Sequence, residues 1–403
     1  MKRALLYLQS GGPTAVINTS LYGVIKEAKK HPDLIEGIYG SLYGIEGLLK
    51  DQIIDLEQEE DEQVELLKQT PGAILGSTRY KLSKDIQHDD YQKILSTIKK
   101  HNIGFLLVNG GNDSMDTCHK LSCFFGQSDY DCKVIGIPKT IDNDLYFTDH
   151  CLGYPSAAKY VLQTLQDIQI DNHCYDKGKV AIVEVMGRNA GWLTAAAALL
   201  PPSLRADDIF LPEESFDLEK FLERVRKIYE KRGKAFIVIS EGVQAFLPGK
   251  NISVDAFNHI QLGGVANMLG EELKERYGIP ARPIEFSLMQ RAGTRHITPT
   301  DQKEAIKVSS VAVKRVISGH SNAMVIIKRN VDKKGAYHPT YGLKHLSRIA
   351  NAERKMSPEL IADIHGDGKL MREYLLPLIQ GEIKQKFRDG MTQYACFKKI
   401  KVE

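Results

Sequence analysis

The stretch KVIGIPKTIDND, residues Lys133–Asp144, joins a short apolar run to a lysine, a threonine and two aspartates. The apolar run is rich in β-branched residues and predicts a buried strand. Ligands of α/β proteins bind beyond the carboxyl ends of their parallel strands. The sequence therefore predicts that Lys139, Asp142 and Asp144 lie where such a protein holds its ligand.

Short apolar runs alternate with longer amphipathic stretches along most of the chain. This alternation predicts an α/β fold whose sheets are mostly parallel and covered on both faces. The predicted strands are RALLYLQ, IEGIYG, GFLLVNG, KVIGIP, KVAIVEV, DIFLPE, KAFIVIS, RPIEFSL and NAMVIIKR. The predicted helices cover about residues 14–30, 89–101, 113–123, 156–172, 189–200, 217–232, 263–277 and 300–318.

Glycines, carboxylates or arginines follow six of the predicted strands, in the segments SGGPTAVIN, NGGNDSMDT, PKTIDND, MGRNAGW, SEG and MQRAG. Each segment alone could be an ordinary turn or helix cap. Together they favour an anion site, because backbone N–H groups at Gly11, Gly12 and Gly111 can approach a polyphosphate. Four arginines suit a second anionic group, since guanidinium binds phosphate through two parallel hydrogen bonds: Arg79, Arg188, Arg282 and Arg291.

Composition narrows the classes of function. The 403 residues are 42% hydrophobic, and 54 Lys and Arg balance 51 Asp and Glu, so no overall field attracts nucleic acid or an acidic membrane. The six cysteines form no C-x-x-C pair, and no run approaches the roughly 18 apolar residues of a membrane span. We therefore expect a soluble, cytoplasmic protein that binds neither nucleic acid nor membranes.

Two carboxylates beside polyphosphate turns indicate phosphoryl transfer. Asp142 and Asp144 are two residues apart in an extended segment and can face the same side. One could accept a hydroxyl proton while the other helps to hold a metal, and positioning with charge neutralisation supplies most of the catalysis. The chain has no G-x-x-x-x-G-K-[ST], H-E-x-x-H or G-x-S-x-G motif and no G-x-G-x-x-G after its first strand, which excludes several familiar alternatives.

From about residue 3 to about residue 330, the chain resembles the bacterial-type phosphofructokinases. All six segments occur in the same order as the corresponding motifs of that family. The resemblance implies two αβα lobes with the active site in the cleft between them. Residues 1–150 and about 290–345 would form a donor-binding lobe, 151–290 a sugar-phosphate lobe, and 346–403 a helical C-terminal extension. It also implies phosphorylation of fructose 6-phosphate to fructose 1,6-bisphosphate, with Mg²⁺, in glycolysis or gluconeogenesis.

The resemblance assigns roles to individual residues. Asp142 would take the proton of the fructose 1-hydroxyl, without needing an unusual pKa, and Asp144 would help to position the metal. Arg282 would reach the 6-phosphate of a neighbouring subunit in a homodimer or homotetramer, and Lys179 stands where a second such arginine is common. Catalysis would also use Lys139 and Arg188. Donor-binding positions are Gly11, Gly12, Arg79, Gly111, Asp113, Ser114 and Lys139. Sugar-phosphate positions are Thr140, Ile141, Asp142, Lys179, Met186, Gly187, Arg188, Glu241, Arg282, Leu288, Met289, Gln290 and Arg291.

Two replacements indicate the donor. ATP-using members of the family commonly have glycine where this chain has Asp113 and Lys139, and the pair resembles the pyrophosphate-dependent branch. A carboxylate at 113 within about 4 Å of the α-phosphate would repel it by several kcal/mol in a poorly hydrated site. Lys139 would neutralise the leaving phosphate. Three alternatives stay open: an ATP-dependent enzyme, a sugar-phosphate-binding regulator, and an Asp113 that only caps its helix and pairs with Lys139.

Some positions depart from the family pattern. Asn112 stands where many members have a metal-binding aspartate, so Mg²⁺ would depend on the donor phosphates and on Asp142 or Asp144. Leu288 replaces a histidine or tyrosine that often contacts the sugar phosphate. Tyr22 and Lys26 replace two effector-binding arginines, and we expect little effector control. Activity on sedoheptulose 7-phosphate stays open.

Overall fold

The computed structural model describes residues 2–246, 264–332 and 336–402. The chain divides into two compact units. Unit 1 comprises Met1–Pro155, Arg291–Glu353 and Gln380–Glu403. Unit 2 comprises Ser156–Gln290 and Arg354–Ile379. The chain thus leaves unit 1 and returns to it twice.

The helices and strands follow one another as the sequence alternation requires. The strands are β1 (Arg3–Gln9), β2 (Ile35–Ser41), β3 (Ile53–Asp55), β4 (Ile103–Gly110), β5 (Lys133–Thr140), β6 (Leu152–Gly153), β7 (Val180–Val185), β8 (Asp208–Phe210), β9 (Ala235–Ser240), β10 (Ala281–Glu285), β11 (Ala323–Val331), β12 (Tyr337–His345), β13 (Phe387–Arg388) and β14 (Met391–Thr392). The α-helices are α1 (Ile17–Ala28), α2 (Ile45–Leu49), α3 (Asp61–Leu66), α4 (Asp89–Lys100), α5 (Asn112–Gln127), α6 (Tyr154–Asn172), α7 (Leu218–Arg232), α8 (Val265–Tyr277), α9 (Met289–Ala292), α10 (Pro299–Ile317), α11 (Pro358–His365) and α12 (Lys369–Ile379).

Unit 1 is built on an eight-stranded sheet in the order β12-β11-β5-β4-β1-β2-β3, with β6 beside the end of β5. Strands β1, β2, β4, β5 and β11 are parallel, while β3 and β12 are antiparallel at the two edges. Both faces are covered, because Leu5 and Tyr7 of β1 pack into one hydrophobic cluster and Leu6 and Leu8 into another. Burial of such a side chain contributes about 1.5–3 kcal/mol.

Unit 2 contains a four-stranded parallel sheet in the order β10-β7-β9-β8. Its inner strands β7 and β9 are buried along their whole length. Such strands need β-branched and aliphatic side chains at every position, and VAIVEV and AFIVIS supply nearly all of them. The predicted fold class, α/β with two lobes and mostly parallel sheets, is confirmed.

Strand register brings the strand ends together within each unit. In unit 1, Gln9 lies opposite Asn109 and Gly110 opposite Pro138, so the segments after β1, β4 and β5 start side by side. In unit 2, Val185 lies opposite Ser240. The segments after β7 and β9 therefore also start side by side.

Several short elements were not predicted, among them β3, α2 and α3, and three larger differences bear on the fold. The helix predicted at 189–200 is only a 3₁₀ helix, Thr194–Leu199, since Gly191 and the pair Pro201–Pro202 leave too few residues to propagate an α-helix. Strand β12 was missed because its proline and glycine weaken the strand signal, as is usual at a sheet edge. The C-terminal extension is not purely helical, since it contains α11, α12 and a 3₁₀ helix at Leu346–Arg348 together with β13 and β14, and residues 346–403 are divided between both units.

No helix in the described part of the chain is long and apolar enough to cross a membrane.

Candidate active site

Lys139 lies at the end of β5 with only 2% of its surface exposed. Its ammonium donates to the backbone oxygens of Ser10 (2.8 Å) and Gly12 (2.6 Å), and so holds the turn after β1. Burial lowers the pKa of Lys139 to about 7, against the opposing charge of Asp142. The end of β5 and the turn after β1, 127 to 129 residues apart in sequence, thus meet at one buried cation.

The turn after β1 has the backbone that its glycines predict. Gly11 has φ of +75°, which favours glycine, and its N–H donates to Thr78. A Cβ at Gly12 would come 3.0 Å from Nη1 of Arg291. Arg291, predicted as a sugar-phosphate residue, therefore lies directly against the turn predicted to bind the donor. Its charge and that of Arg79 both act on Lys139.

Asp142 and Asp144 follow β5 in one buried loop. Burial raises the pKa of Asp142, although Lys139 and Arg291 oppose the rise. Burial and the charge of Asp142 raise the pKa of Asp144. An ordinary pKa would suffice for the proposed base, but the site removes the carboxyl of Asp142 from water and raises its pKa. The negative charge of Asp142 therefore disfavours ionisation of Asp144.

The side chains of Asn112 and Asp144 are joined, since Nδ2 of Asn112 donates to Oδ2 of Asp144 at 2.8 Å. The other oxygen of each side chain, Oδ1, is buried and has no hydrogen-bond partner within the described residues. A buried oxygen without a donor is costly, and amide and carboxylate oxygens are ligands that suit a hard cation. Among the described residues, no three His, Cys, Asp or Glu side chains are grouped to hold a metal by themselves. The residues therefore fit Mg²⁺ only if a ligand supplies further oxygens.

Asp113, a predicted donor-binding residue, lies at the start of α5. It belongs to the first turn of α5, whose N-cap is Gly111, and the carboxylate lies 3.2 Å from the ammonium of Lys81. Both side chains are exposed, at 62% for Asp113 and 59% for Lys81. Solvent and Lys81 both weaken the field of this carboxylate. Sequence reasoning missed Lys81 because it lies in the loop STRYKLSK, which has no helix or strand period.

In unit 2, the segment after β7 is tied to two neighbouring segments. The N–H of Met186 donates to Gln290 Oε1 at 3.2 Å, and the N–H of Gly187 donates to Glu241 Oε1 at 3.3 Å. Gly187 has φ of +150° and its carbonyl accepts from Ser240 Oγ at 2.6 Å. Four predicted sugar-phosphate residues are thus brought together within unit 2. Arg188 follows Gly187 and is exposed.

Arg282 and Lys179 lie at the opposite end of that sheet. Arg282 pairs with Ala181 in the strand ladder, and Lys179 directly precedes β7. About seven residues separate Lys179 from Met186, or about 20 Å along an extended strand. Arg282 contacts Asp171 at 2.9 Å in this chain, with both side chains about half exposed. These two cations cannot share a site with Met186 and Gly187 of the same unit.

The remaining predicted residues have simpler surroundings. Thr140 Oγ1 accepts from the N–H of Asp142 at 3.1 Å, which bends the start of the loop. Ser114 and Ile141 are buried, at 3% and 6% exposed, so only their backbone or polar atoms could meet a ligand. Leu288 and Met289 are large apolar side chains that are more than half exposed.

The fold, the glycine turns and the paired aspartates define a phosphoryl-transfer protein of the α/β class. The family model for phosphofructokinase matches residues 4–316, and the chain belongs to this family. The resemblance seen in the sequence is confirmed.

Relatives match over nearly the full length. The chain is 38% identical to a pyrophosphate–fructose 6-phosphate 1-phosphotransferase of Halomonas elongata, covering 98% of this chain and 96% of the relative. It is 36% identical to the protein of the same name from Methylococcus capsulatus, covering 99% and 97%. The crystal structure of a pyrophosphate-dependent phosphofructokinase from Marinobacter aquaeolei superposes with a TM-score of 0.87 at 37% identity, covering 100% and 98%.

Proposed function

We propose that this chain transfers a phosphoryl group from inorganic pyrophosphate to the 1-hydroxyl of fructose 6-phosphate, reversibly, as a step of glycolysis and gluconeogenesis. The observation that carries the proposal is the buried ammonium of Lys139 beside two carboxylates and a glycine turn. The names of the relatives favour pyrophosphate over ATP as the donor.

Asp142 is the base of the proposed reaction. Its carboxylate accepts the proton of the sugar hydroxyl as the hydroxyl oxygen bonds to phosphorus and the bond to the bridging oxygen of pyrophosphate breaks. Because burial raises its pKa, Asp142 binds that proton more tightly than an ordinary carboxylate would. Lys139, Arg79 and Arg291 stabilise the negative charge that collects on the leaving phosphate.

Mg²⁺ would be held by the free oxygens of Asn112 and Asp144 together with oxygens of pyrophosphate. When bound, it supplies positive charge to the phosphates. Asn112 brings no charge, so the protein alone should bind the ion weakly. In its absence, Asn112 still orients Asp144 through their hydrogen bond.

An assay with each donor tests the proposal. With Mg²⁺ and fructose 6-phosphate, turnover should be seen with pyrophosphate and be absent or far slower with ATP. Faster turnover with ATP would favour the ATP-dependent alternative. Tight fructose 6-phosphate binding with no turnover on either donor would favour a regulator.

The rate should depend on pH through two groups, Asp142 on the acid side and Lys139 on the alkaline side. Asp142 must be ionised to accept a proton, and its raised pKa means that activity is lost as pH falls through a value above the usual range near 4. The charge of Lys139 is lost as pH rises, from a pKa of about 7 in the protein alone, and bound phosphate opposes this loss. We expect kcat/KM to be bell-shaped. A profile that keeps full activity down to the ordinary aspartate pKa near 4 would contradict the assignment of Asp142.

The protein should work as a homodimer or homotetramer in which Arg282 and Lys179 serve the neighbouring copy. Their position at the far end of the unit 2 sheet from Met186 and Gly187 supports this. If each site takes residues from two copies, two different inactive variants can together form an intact site.

Asp142→Asn and Arg282→Ala should each be nearly inactive, and a mixture of the two should regain activity. In an equal, randomly exchanged mixture half of the dimers are hybrid, and one of two sites in each is intact, so about a quarter of wild-type activity should return. The measurement is turnover before and after subunit exchange under mild denaturation. No recovery, with hybrid dimers verified, would show that Arg282 acts within its own chain.

Two expectations complete the proposal. Helix α1 carries Tyr22, which donates to Glu65, and Lys26, which pairs with the same carboxylate at 3.1 Å. Both groups are engaged within the chain, which supports little effector control. A glycolytic role also supports a cytoplasmic location.

A further inference from the structure

A buried cluster of charged residues lies next to the loop that carries Asp142 and Asp144. We define the two-aspartate loop as residues 141–151. We define the His150 cluster as His150 and its four polar neighbours, namely Asp149, Glu304, Arg329 and Tyr337. All of these residues belong to unit 1. The reaction described above does not use the cluster.

The hydrogen bonds of His150 are those of a positively charged ring. Its Nδ1 lies 2.8 Å from Asp149 Oδ2 and its Nε2 lies 2.6 Å from Glu304 Oε2. The second oxygen of Glu304 accepts from the hydroxyl of Tyr337 at 2.6 Å, and both oxygens of Asp149 accept from Arg329 at 2.9 and 3.0 Å. Ionised carboxylates accept hydrogen bonds only, so with Asp149 and Glu304 ionised both ring nitrogens of His150 donate.

The electrostatics agree with that geometry. Burial alone would lower the pKa of His150, but the charges of Glu304 and Asp149 and the hydrogen bonds to them raise it to about 9. The cluster balances two cations, His150 and Arg329, against two carboxylates. His150 is fully buried and Glu304 is 2% exposed, so loss of one charge would leave another unpaired away from water.

Short bonds connect the cluster to the aspartates. The residue after His150, Cys151, donates its N–H to Oδ1 of Asn143 at 2.9 Å. Asn143 stands between the two aspartates, is fully buried, and has a left-handed backbone with φ of +57°. A displaced His150 would move the backbone N–H of Cys151, which holds the side chain of Asn143 in place.

Helix α10 also fixes the far end of the loop. Asp301 Oδ1 accepts from the N–H of Gly153 at 2.9 Å, and Gly153 pairs with Thr140 at the end of β5. Thr140 in turn accepts from the N–H of Asp142. One helix therefore holds the loop through Asp301 and through Glu304, one turn apart on its face.

We propose that His150, held as an imidazolium between Asp149 and Glu304, is a positioning residue that sets the two-aspartate loop for phosphoryl transfer. Glu304 anchors it to α10, 154 residues away in sequence. The inference rests on the proposed function, because it assumes that Asp142 is the base. Catalytic groups that are misplaced by about 1 Å can lose about 10²-fold in rate.

The test is Glu304→Gln, which keeps the size of the side chain and removes its charge. We expect kcat to fall about tenfold to hundredfold while the KM values for pyrophosphate and fructose 6-phosphate change by about twofold or less, because no group that binds either substrate is altered. A variant with unchanged kcat would overturn the proposal.

Glu27→Gln is the matched control. Glu27 is also a buried glutamate of unit 1, 4% exposed, and accepts from Ser310 of α10 at 2.9 Å, but it has no hydrogen bond to the loop in the described residues. It should lose stability and keep its kcat within about twofold. Equal losses of kcat in Glu27→Gln and Glu304→Gln would reduce the cluster to a stabilising role and overturn the proposal.

A replacement variant and a direct measurement of the His150 ring cover the case in which Glu304→Gln does not fold. If Glu304→Gln does not fold, Tyr337→Phe, which removes one donor to Glu304, takes its place under the same criterion. Nuclear magnetic resonance of ¹⁵N-histidine protein at pH 8 should show both ring nitrogens of His150 protonated, and a neutral ring would overturn the proposal. An active Asp142→Asn enzyme would instead show that the base is wrongly assigned.

Discussion

Asp142→Asn is expected to lower kcat with pyrophosphate and fructose 6-phosphate by about 10²–10⁴-fold and to leave both KM values nearly unchanged. The amide has the shape of the carboxylate but cannot take up the hydroxyl proton. Its neighbours Lys139, Arg79 and Arg291 stay in place to bind the phosphates. Steady-state kinetics in both directions of the reaction measure the effect, because the residue that accepts the proton in one direction returns it in the other.

The same variant should not be less stable than the wild type. A carboxyl whose pKa is higher in the folded than in the unfolded protein destabilises the fold at any pH above its unfolded value, so at pH 7.5 the neutral amide should hold or raise the melting temperature. Asp116→Asn is the control. Asp116 lies on α5 and pairs with Lys120 at 2.7 Å, away from the proposed chemistry, and its loss should leave kcat unchanged. An Asp142→Asn protein that is active would remove the proposed base.

The positions of the strand-end residues could be predicted from sequence because strand order and direction decide them. Once β1, β4 and β5 are parallel neighbours, their following segments must start at one edge of the sheet. That is why Gly11, Lys139 and Asp142 could be assigned to one place without a structure. The prediction needed only the period of the strands and the residues that follow them.

Contacts between distant segments could not be predicted in this way. Lys139 was expected to face the donor, yet its ammonium also holds two backbone oxygens of the turn after β1, which no side-chain pattern encodes. The bond from His150 to Glu304 depends on how α10 packs, and nothing in the sequence near either residue marks it. The solvent exposure of a side chain could not be predicted either. Asp113 was expected in a poorly hydrated place, but its side chain is largely exposed to solvent.

The exposure of Asp113 changes how the donor should be selected. Two charges 4 Å apart repel by about 4 kcal/mol near a protein surface, but by only about 1 kcal/mol in bulk water. A solvated carboxylate that already pairs with Lys81 should therefore exclude ATP mainly by occupying space. The buried Lys139, in contrast, acts at close range and with little screening.

The double change Asp113→Gly with Lys139→Gly is accordingly expected to admit ATP and to depress turnover with pyrophosphate. Loss of a preorganised charge beside the leaving group should lower kcat with pyrophosphate by about 10²–10³-fold. Most of that loss should come from position 139. Rates with both donors, measured for the two single variants and the double variant, separate the contributions.

Two conservative variants distinguish charge from space. Asp113→Asn keeps the volume of the side chain and removes its charge, so it should still reject ATP if crowding is the cause and accept ATP if repulsion is. Lys139→Met keeps the aliphatic stem beneath the turn, so a loss of pyrophosphate turnover in this variant reflects the missing ammonium rather than a cavity. Undiminished turnover in Lys139→Met would mean that the ammonium only ties Ser10 and Gly12 together, and that Arg79 and Arg291 neutralise the leaving phosphate without it.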